Sequence, residues 1–383
     1  MKRRVLLTFG TRPEAIKLAC LIHALKEEPD QFEVVVCVTA QHRQMLDQVL
    51  ECFAIVPDID LNLMKHGQDL FDVTAEVLLG MRTVIRQVNP DVVLVHGDTT
   101  TSFATALAAF YEGVAVGHVE AGLRTYDMRA PFPEEFNRQA VTMLSHWHFA
   151  PTELSRQNLL AEGVAPEMIS VTGNTVIDSL LWVLRRLDDD CARRCRVQSS
   201  LEAAVGFDIE RTRYVLVTAH RRENFGDGIV QLCNGLVELG KRYPDVHFVY
   251  PVHFNPNIRE PVTRLLSGLS NIQLIAPLDY EPFVLLLKHC FFVLTDSGGL
   301  QEEAPSLGKQ VLVMREVTER PEALEAGTVH LVGTDTEKII ASCADLLKSD
   351  LSDNAMRTRV NPYGDGTAST QIVTTLRGRS RID

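Results

Sequence analysis

Three acidic residues in the first half of the chain have the side-chain type that acid–base catalysis needs. Asp98 follows the apolar string VVLVHG, and Glu120 follows VAVGHV, so both are expected at the same edge of one sheet. Glu134 lies in PFPEEFNR, a proline-bounded loop that enters a helix. Carboxylates that converge on one cleft have their pKa values pushed apart, as proton transfer requires. Taken singly, each acid is equally well explained as a helix cap or a salt-bridge partner.

The segment TDSGGLQEEAPSLG (295–308) is the strongest local indication of ligand binding. A strand ends there, Ser297, Gly298 and Gly299 form a turn, and a helix is predicted to start. The free N–H groups and dipole of such a helix suit a phosphate. Glu303 could accept hydrogen bonds from ribose hydroxyls, although a glycine-rich turn with a surface glutamate is the plainer interpretation. The motif is neither GxGxxG nor GxxxxGK[ST], so neither a dinucleotide fingerprint nor a P-loop is present.

Several cationic residues also follow predicted strands. In GTRPEAIK (10–17), Arg12 and Lys17 lie near a predicted helix N-terminus, where the helix dipole disfavours cations. An anion bound between them would resolve that conflict, and ordinary surface cations are the alternative. Further cations that could help to neutralise a diphosphate without a metal are His220, Arg221 and Arg222 in TAHRREN and Arg320 in TERPE.

No metal-binding or nucleophile motif is apparent. The HWH string (146–148) has no nearby carboxylate or cysteine to complete a zinc set. The eight cysteines include no CxxC and are interpreted as reduced, mostly buried thiols. No GxSxG string is present, which disfavours a serine hydrolase of that type. We expect neither a metal nor a redox cofactor.

Along the chain, short apolar runs alternate with amphipathic stretches, which is typical of βαβ units with a parallel sheet. The first series has predicted strands at 5–9, 32–39, 92–96, 114–119 and 148–150, and the second at 214–219, 246–252, 271–276, 291–295, 310–314 and 330–333. Between them, residues 182–212 lose the pattern and are interpreted as a solvated helix end and linker. The predicted fold class is α/β, with two doubly wound Rossmann-like domains that face a central cleft. We place the N-terminal domain at 1–180 and the C-terminal domain at 205–365, with a helix at about 366–380 packing back on the first.

Composition limits the classes of function. The chain has 383 residues, of which 45% are hydrophobic and 23% charged, as in ordinary globular proteins of two domains. Its net charge of −12 argues against a general nucleic-acid coat, which needs a positive surface. No apolar run reaches the length of a signal peptide core or a membrane span. We therefore expect a cytoplasmic protein with no nucleic-acid or membrane partner.

The motifs together resemble those of one family, the non-hydrolysing UDP-N-acetylglucosamine 2-epimerases of bacteria. The resemblance spans essentially the whole chain and rests on GTRPEAIK, TAQHRQMLDQ, VLVHGDTTT, GHVEAGLRT, PFPEEFNR, TGNTVIDSL, TAHRREN, YPVHFNP, LTDSGGLQEEAPSLGK, TERPE and NPYGDG. It implies a glycosyltransferase-B-like fold, a homodimer, and interconversion of UDP-GlcNAc and UDP-ManNAc for bacterial surface polysaccharide.

The resemblance also implies roles for individual residues. Those implied to contact the UDP part are Arg12, Lys17, His220, Phe283, Ser297, Gly298, Gly299, Glu303 and Arg320. Those implied to be catalytic are Asp98, Glu120, Glu134 and His220. Some members bind a second UDP-GlcNAc as an activator, and the matching positions here are Gln41, Gln44, Arg221 and His253. The chain departs from the expected pattern at Cys20, Gly67, Gln310, Glu316 and Val317.

The implied mechanism agrees with the residue types. Loss of UDP from carbon 1 makes the carbon 2 proton acidic, so a carboxylate can remove it and leave a 2-acetamidoglucal. UDP then re-adds while a proton reaches the other face, which needs two proton carriers. The alternatives are a hydrolysing 2-epimerase that releases ManNAc and UDP, a glycosyltransferase of the same fold, and a non-catalytic UDP-sugar sensor. The last two have no need for three acids in the first domain.

Overall fold

The structure is a computed structural model that describes residues 2–39, 43–63, 65, 67–221, 224–349 and 361–378, without the side chains of Arg43 and Gln44. It is an α/β structure with two parallel sheets of seven and six strands, which confirms the predicted fold class. The chain forms two compact units. The first runs to Ser179 and resumes at Tyr363, and the second is Leu180–Pro362.

The first unit is built on the seven-stranded sheet, with strand order β3-β2-β1-β4-β5-β6-β7. Its strands are β1 (Arg3–Phe9), β2 (Phe32–Val38), β3 (Ile59–Asp60), β4 (Val92–His96), β5 (Ala115–Val119), β6 (Trp147–Ala150) and β7 (Ile169–Val171). Its helices are α1 (Arg12–Lys26), α2 (Arg43–Cys52), α3 (Leu70–Val88), α4 (Thr100–Tyr111), α5 (Glu134–Leu144) and α6 (Glu153–Ala161). Helix α7 (Thr175–Asp189) contains the boundary with the second unit.

The second unit is built on the six-stranded sheet, with strand order β10-β9-β8-β11-β12-β13. Its strands are β8 (Tyr214–Thr218), β9 (His247–Pro251), β10 (Ile272–Ile275), β11 (Phe292–Thr295), β12 (Val311–Val313) and β13 (Val329–Leu331). Its helices are α8 (Cys191–Val205), α9 (Asp227–Arg242), α10 (Pro256–Leu266), α11 (Tyr280–His289), α12 (Leu300–Ser306), α13 (Pro321–Glu325) and α14 (Thr336–Lys348).

The central strands are apolar along most of their length because helices cover both faces of each sheet. In β4, every residue from Val92 to His96 is buried, and so is every residue of β5. Parallel pairing sets His96 opposite Val119. The turns that follow these two strands, which carry Asp98 and Glu120, therefore lie side by side at one edge of the first sheet.

Helix α8 corrects the interpretation of residues 182–212 as a linker. The Asp190 side chain accepts a hydrogen bond from the backbone N–H of Arg193 at 2.9 Å and caps the helix, which ends at Gly206 with φ +82°. Only Leu201 and Val205 of α8 are buried, so its sequence shows no apolar stripe. Short edge strands β3 and β7 were likewise not predicted, since two or three residues give no periodic pattern.

The segment that returns to the first unit ends in helix α15 (Ala368–Gly378), which packs against α1. The Asp178 carboxylate accepts hydrogen bonds from the backbone N–H groups of Ala368 (3.2 Å) and Ser369 (2.7 Å), so it caps this helix. Gly173 has φ +83°, and a Cβ there would lie 3.1 Å from the Tyr363 carbonyl oxygen. The TGNT and NPYGDG motifs thus meet through backbone contact. In the described part of the chain, no helix combines the length and apolarity that crossing a membrane requires.

Candidate active site

Asp98 is held in place from several sides. Its Oδ2 atom lies 2.6 Å from Nη2 of Arg138, and its backbone carbonyl accepts a hydrogen bond from Asn137 Nδ2 at 2.8 Å. On the strand side, buried His118 donates from Nε2 to the Gly97 carbonyl at 2.7 Å. Burial lowers the pKa of His118 to about 3, so this imidazole is neutral. Asp98 itself is a quarter exposed, which leaves its carboxylate accessible to a ligand.

Glu120 is the centre of a buried polar cluster. Its Oε2 atom contacts Lys17 Nζ and accepts a hydrogen bond from Asn174 Nδ2 at 2.7 Å. His96 Nε2 is 3.7 Å from the same oxygen, and burial lowers the pKa of His96 to about 4. The backbone of Glu120 is left-handed, with φ +64°, a conformation that costs a non-glycine residue about 1–2 kcal/mol. Strain of this kind is concentrated at functional sites.

The two adjacent glutamates of the PFPEEFNR motif, at the start of helix α5, have different environments. The Oε2 atom of Glu134 is buried and has no hydrogen-bond partner among the described residues. Glu135 instead accepts hydrogen bonds from the backbone N–H groups of Thr125 (3.0 Å) and Tyr126 (3.1 Å). Burial acts to raise the pKa of Glu135, but hydrogen bonds from Gln139, this loop and Arg138 outweigh it and hold the pKa below its usual range. Glu135 fixes the loop, and the neighbouring Glu134 keeps an oxygen available for chemistry.

The turn after β1 is organised around Glu14. The backbone N–H groups of Gly10 (3.1 Å) and Thr11 (2.8 Å) both donate to Glu14 Oε2. The sequence led us to expect an anion between Arg12 and Lys17, and in the structure Lys17 contacts the Glu120 carboxylate. At the start of α1, the backbone N–H groups and Lys17 are therefore paired with carboxylates of the protein itself, those of Glu14 and Glu120. Arg12 is the first residue of α1 and is half-buried.

In the second unit, buried Asp296 organises the turn after β8. Its Oδ2 atom accepts hydrogen bonds from the backbone N–H groups of His220 (2.9 Å) and Arg221 (2.8 Å), and from Asn224 Nδ2 (3.1 Å). His220 Nδ1 lies 3.5 Å from Asp296 Oδ1. Partial burial lowers the pKa of His220, although the Asp296 charge opposes that shift. The His220 ring stacks on His253 with centroids 6.1 Å apart.

The turn formed by Ser297, Gly298 and Gly299 lies under a buried guanidinium. A Cβ at Gly298 would be 2.7 Å from Arg320 Nη1, so no larger residue fits without moving Arg320. Arg320 is fixed in turn by contacts with Glu302 and Glu319. Burial acts to raise the pKa of Glu319, but the charges of Arg320 and Arg315 outweigh it and hold the pKa far below its usual range. Arg320 thereby leaves no room for a side chain at position 298.

Glu303 lies just beyond this turn. It is 8% exposed, and its Oε1 atom accepts a hydrogen bond from the Tyr280 hydroxyl at 3.1 Å. A Cβ at Gly299 would lie 3.6 Å from Glu303 Oε2, so the carboxylate is next to the glycine backbone. Phe283 is half-buried and follows Tyr280 by one helical turn of α11, on the same side of that helix. The structure thus gathers Glu303, the glycine turn and the side of α11 that carries Phe283.

Of the four positions matched to an activator site, two have described side chains. Arg221 is half-buried, and its Nε atom has no hydrogen-bond partner within the described chain. His253 is exposed and accepts a hydrogen bond from the Asn255 backbone N–H at 3.1 Å. Gln41 and the side chain of Gln44 lie outside the described residues. In the parts of the chain that the structure describes, no three His, Cys, Asp or Glu residues are arranged to hold a metal ion.

Several polar residues of these clusters were not singled out from the sequence. They are Glu14, Arg138, Asn174 and Asp296, each of which bonds to the turn or side chain of a candidate residue. All four lie inside motifs or beside strand ends. Residue type alone gave no signal for Arg138, Asn174 and Asp296, because the partners that identify them are distant in sequence. Glu14 bonds to Thr11 three positions earlier, and this Thr-x-x-Glu spacing is a helix-start pattern that could have identified it.

Comparison with known proteins agrees with the motifs. Residues 23–377 match a protein-family model described as UDP-N-acetylglucosamine 2-epimerase. The UDP-N-acetylglucosamine 2-epimerase of Escherichia coli K12 is 54% identical over 374 residues, which cover 98% of this chain and 98% of that protein. A crystal structure of UDP-GlcNAc 2-epimerase from Neisseria meningitidis bound to UDP-GlcNAc is 50% identical, with TM-score 0.91 over 97% of this chain and 99% of that one. The Methanocaldococcus jannaschii enzyme in complex with UDP-GlcNAc and UDP is 33% identical, with TM-score 0.82 over 98% and 99% of the two chains.

A family match over nearly the whole chain, together with identities of 50% and more at full coverage, confirms the resemblance drawn from the motifs. The chain belongs to the UDP-N-acetylglucosamine 2-epimerase family.

Proposed function

We propose that this epimerase interconverts UDP-GlcNAc and UDP-ManNAc by elimination and re-addition of UDP. The bond between carbon 1 and the diphosphate oxygen breaks, and UDP leaves with the electron pair. A carboxylate takes the proton from carbon 2, whose bonding electrons form the double bond of 2-acetamidoglucal. In the second half, UDP re-adds to carbon 1 while a proton is delivered to the opposite face of carbon 2. The bonds and charges balance without an oxidant or a reductant.

The observation that carries this proposal is the arrangement of carboxylates in the first unit. Asp98 and Glu120 follow neighbouring strands, and each contacts a cation, Asp98 the buried Arg138 and Glu120 the half-buried Lys17. Glu134 adds a buried oxygen that no described residue bonds. Two faces of one carbon need two proton carriers, and three carboxylates supply them. Proton transfer by such groups contributes about 10²–10⁴-fold, or roughly 3–5 kcal/mol.

The remaining acceleration has to come from stabilising the departing UDP, because electrostatic stabilisation is usually the largest contribution. We assign this to the residues that the family resemblance implies to contact UDP. The residues that we assign to UDP are Arg12, Lys17, His220, Phe283, Ser297, Gly298, Gly299, Glu303 and Arg320. Since Arg320 already pairs with Glu302 and Glu319, its assigned contribution is chiefly to shape the turn at Gly298, where it leaves no room for a side chain. His220, close to Asp296, is the one group of this set that we also assign to proton transfer.

Three further proposals rest on the family resemblance. A second UDP-GlcNAc acts as an activator and contacts Arg221 and His253 as well as Gln41 and Gln44, so that initial rates depend sigmoidally on substrate concentration. The enzyme is a homodimer, which light scattering measures directly. It works in the cytoplasm, where its eight free cysteines stay reduced, and supplies ManNAc units for surface polysaccharide.

The decisive experiment is NMR of the purified protein with UDP-GlcNAc in heavy water, with nothing else added. Formation of UDP-ManNAc with deuterium at carbon 2 supports elimination and re-addition. Accumulation of free ManNAc and UDP would identify a hydrolysing 2-epimerase instead. Transfer of GlcNAc to an acceptor, or binding without turnover, would indicate a glycosyltransferase or a sensor.

Amide variants test the three acids individually. Asp98→Asn, Glu120→Gln and Glu134→Gln should each lower turnover by at least about 10²-fold with a modest loss of UDP binding. Glu112→Gln is the matched control, because Glu112 pairs with exposed Arg86 and lies outside the site. Near-normal turnover in all three site variants would contradict the proposed roles.

A further inference from the structure

Glu14 is a buried carboxylate for which the proposed mechanism gives no proton to carry. It is 1% exposed and lies in the first turn of α1. Its Oε2 atom accepts hydrogen bonds from the backbone N–H groups of Gly10 and Thr11 and from the Thr11 hydroxyl at 2.8 Å. Burial of such a group costs free energy unless its hydrogen bonds are made, so a buried glutamate needs a structural or functional reason.

The other oxygen of Glu14 reaches a different turn of the chain. Thr99 donates its hydroxyl hydrogen to Glu14 Oε1 at 2.6 Å, across 85 positions of sequence. The same Thr99 oxygen accepts from the Ser102 backbone N–H at 3.0 Å and so caps α4. Ser102 Oγ is 3.1 Å from Glu14 Oε1 and 2.6 Å from the His96 carbonyl. One carboxylate therefore bonds to the turn after β1 and to the turn after β4.

These two turns carry residues that the proposed function uses. Arg12 follows Thr11 directly, and Asp98 precedes Thr99 directly. Asp98 is restrained by Arg138 at its carboxylate and by His118 through Gly97, and Glu14 supplies the restraint on its other side. We propose that Glu14 is a positioning residue that fixes the Asp98 turn relative to the Arg12 turn. The inference rests on the proposed function, in which Arg12 contacts UDP and Asp98 acts on carbon 2.

The partners of Glu14 favour a carboxylate at this position. The backbone N–H groups of Gly10 and Thr11 can only donate, so Oε2 must accept, and Thr99 donates its hydroxyl hydrogen to Oε1. An amide of the same size that keeps its oxygen on Gly10 and Thr11 turns its NH2 group toward Thr99, so the bond to Thr99 reverses and loses its charge-assisted strength. A displacement of about 1 Å at a reacting group can cost on the order of 10² in rate. Glu14 thus affects turnover without touching substrate.

The test removes the hydrogen bond between Glu14 and Thr99, and compares the result with the loss of a similar helix cap at another turn. Thr99→Val removes the hydroxyl that joins Glu14, and it also removes the cap of α4. Thr152→Val is the control, because Thr152 caps α6 in the same unit by accepting from the Ser155 backbone N–H at 3.1 Å, in the turn after β6. Thr99→Ser keeps the hydroxyl and should restore turnover. Each variant is assayed well below its own melting temperature for kcat and for the dissociation constant of UDP.

We expect Thr99→Val to lower kcat by at least about tenfold while the UDP dissociation constant changes by less than about threefold. Thr152→Val should lose similar stability with kcat nearly unchanged. Glu14→Gln should also lower kcat, and the double variant with Thr99→Val should be about as slow as the slower single variant, because both cut one link. If Glu14 and Thr99 contributed only to stability, their substitutions would not have this non-additive effect on kcat.

Two results would overturn the inference. One is equal kcat in Thr99→Val and Thr152→Val, and the other is a double variant whose loss is the product of the single losses. The wild-type protein is assayed in parallel by NMR with UDP-GlcNAc in heavy water. This control distinguishes a failure of the inference about Glu14 from a failure of the proposed function. Absence of deuterated UDP-ManNAc from the wild type would overturn both, whereas normal wild-type exchange with either of the two results overturns the inference alone.

Discussion

The first unit should become unstable in mild acid because three neutral histidines are buried in its central strands. His96, His118 and His148 lie in β4, β5 and β6, and each is 3% exposed or less. Burial lowers their pKa values to about 4, about 3 and about 4. In the unfolded chain each would titrate near pH 6.5. The unfolded state therefore binds more protons, and stability falls as the pH drops from about 6.5 toward 4.

The magnitude follows from these values. Each histidine contributes a slope of about 1.4 kcal/mol per pH unit inside that window. Between pH 7.5 and pH 5 the loss is about 2 kcal/mol for each residue, or about 6 kcal/mol for the three. The free energy of unfolding of a domain is about 5–15 kcal/mol, so this loss is a large part of it.

The two tryptophans allow the first unit to be followed by itself. Trp147 is 3% exposed and precedes His148 in β6, whereas Trp182 belongs to the second unit. In a Trp182→Phe background, Trp147 fluorescence reports unfolding of the first unit by guanidinium at pH 7.5, 6.5, 5.5 and 5. The free energy of unfolding should fall by about 4 kcal/mol per pH unit in the acidic part of this range.

A variant decides whether the histidines are the cause. His148→Leu removes one of the three titrating groups, so its slope should be about a third shallower than that of the parent. His330→Gln, which removes an exposed imidazole from the second unit, should leave the slope unchanged. Equal slopes for His148→Leu and the parent would refute the reasoning.

Three other changes have defined outcomes. Gly298→Ala places a Cβ 2.7 Å from Arg320 Nη1, so UDP affinity should fall at least about tenfold, or about 1.4 kcal/mol, in titration calorimetry. Arg138→Met removes the 2.6 Å partner of Asp98, and steady-state kinetics should show turnover reduced by about 10²-fold. The melting temperature should also fall, because the buried pair of Arg138 with Glu135 is broken. Asp178→Asn weakens the cap of α15 by about 1–2 kcal/mol, which hydrogen exchange of residues 368–378 should detect as faster local opening.

The positions of most strands along the chain could be predicted, because a parallel sheet that is buried on both faces has strands that are continuous apolar runs in the sequence. Strings such as VVLVH indicated β4, and the polar residues after them indicated the positions of Asp98 and Glu120. Helix α8 could not be predicted in this way, because its buried side is too narrow to leave a stripe. It is stabilised instead by a cap and by the contact of Arg193 with Glu281, which are 88 positions apart.

The candidate site was predicted at the level of motifs but not of partners. In GTRPEAIK the sequence analysis selected the cations, whereas in the structure Glu14 of the same motif bonds to the turns after both β1 and β4. Lys17 was expected beside a bound anion, and in the structure it contacts Glu120. Such pairings depend on side chains that are brought together from distant parts of the chain. Residue type and spacing do not contain that information.

The return of the chain at Tyr363 has a consequence for synthesis on the ribosome. Helix α1 emerges early, yet α15, which packs against it, is translated only after the whole of Leu180–Pro362. At about 5–20 residues per second, those roughly 180 residues take on the order of 10–35 s. Throughout that interval the nascent first unit exposes the apolar side of α1 that Ile372, Val373 and Leu376 will bury. The second unit can therefore complete its contacts before the first does, and the exposed side of α1 is a natural binding surface for chaperones during translation.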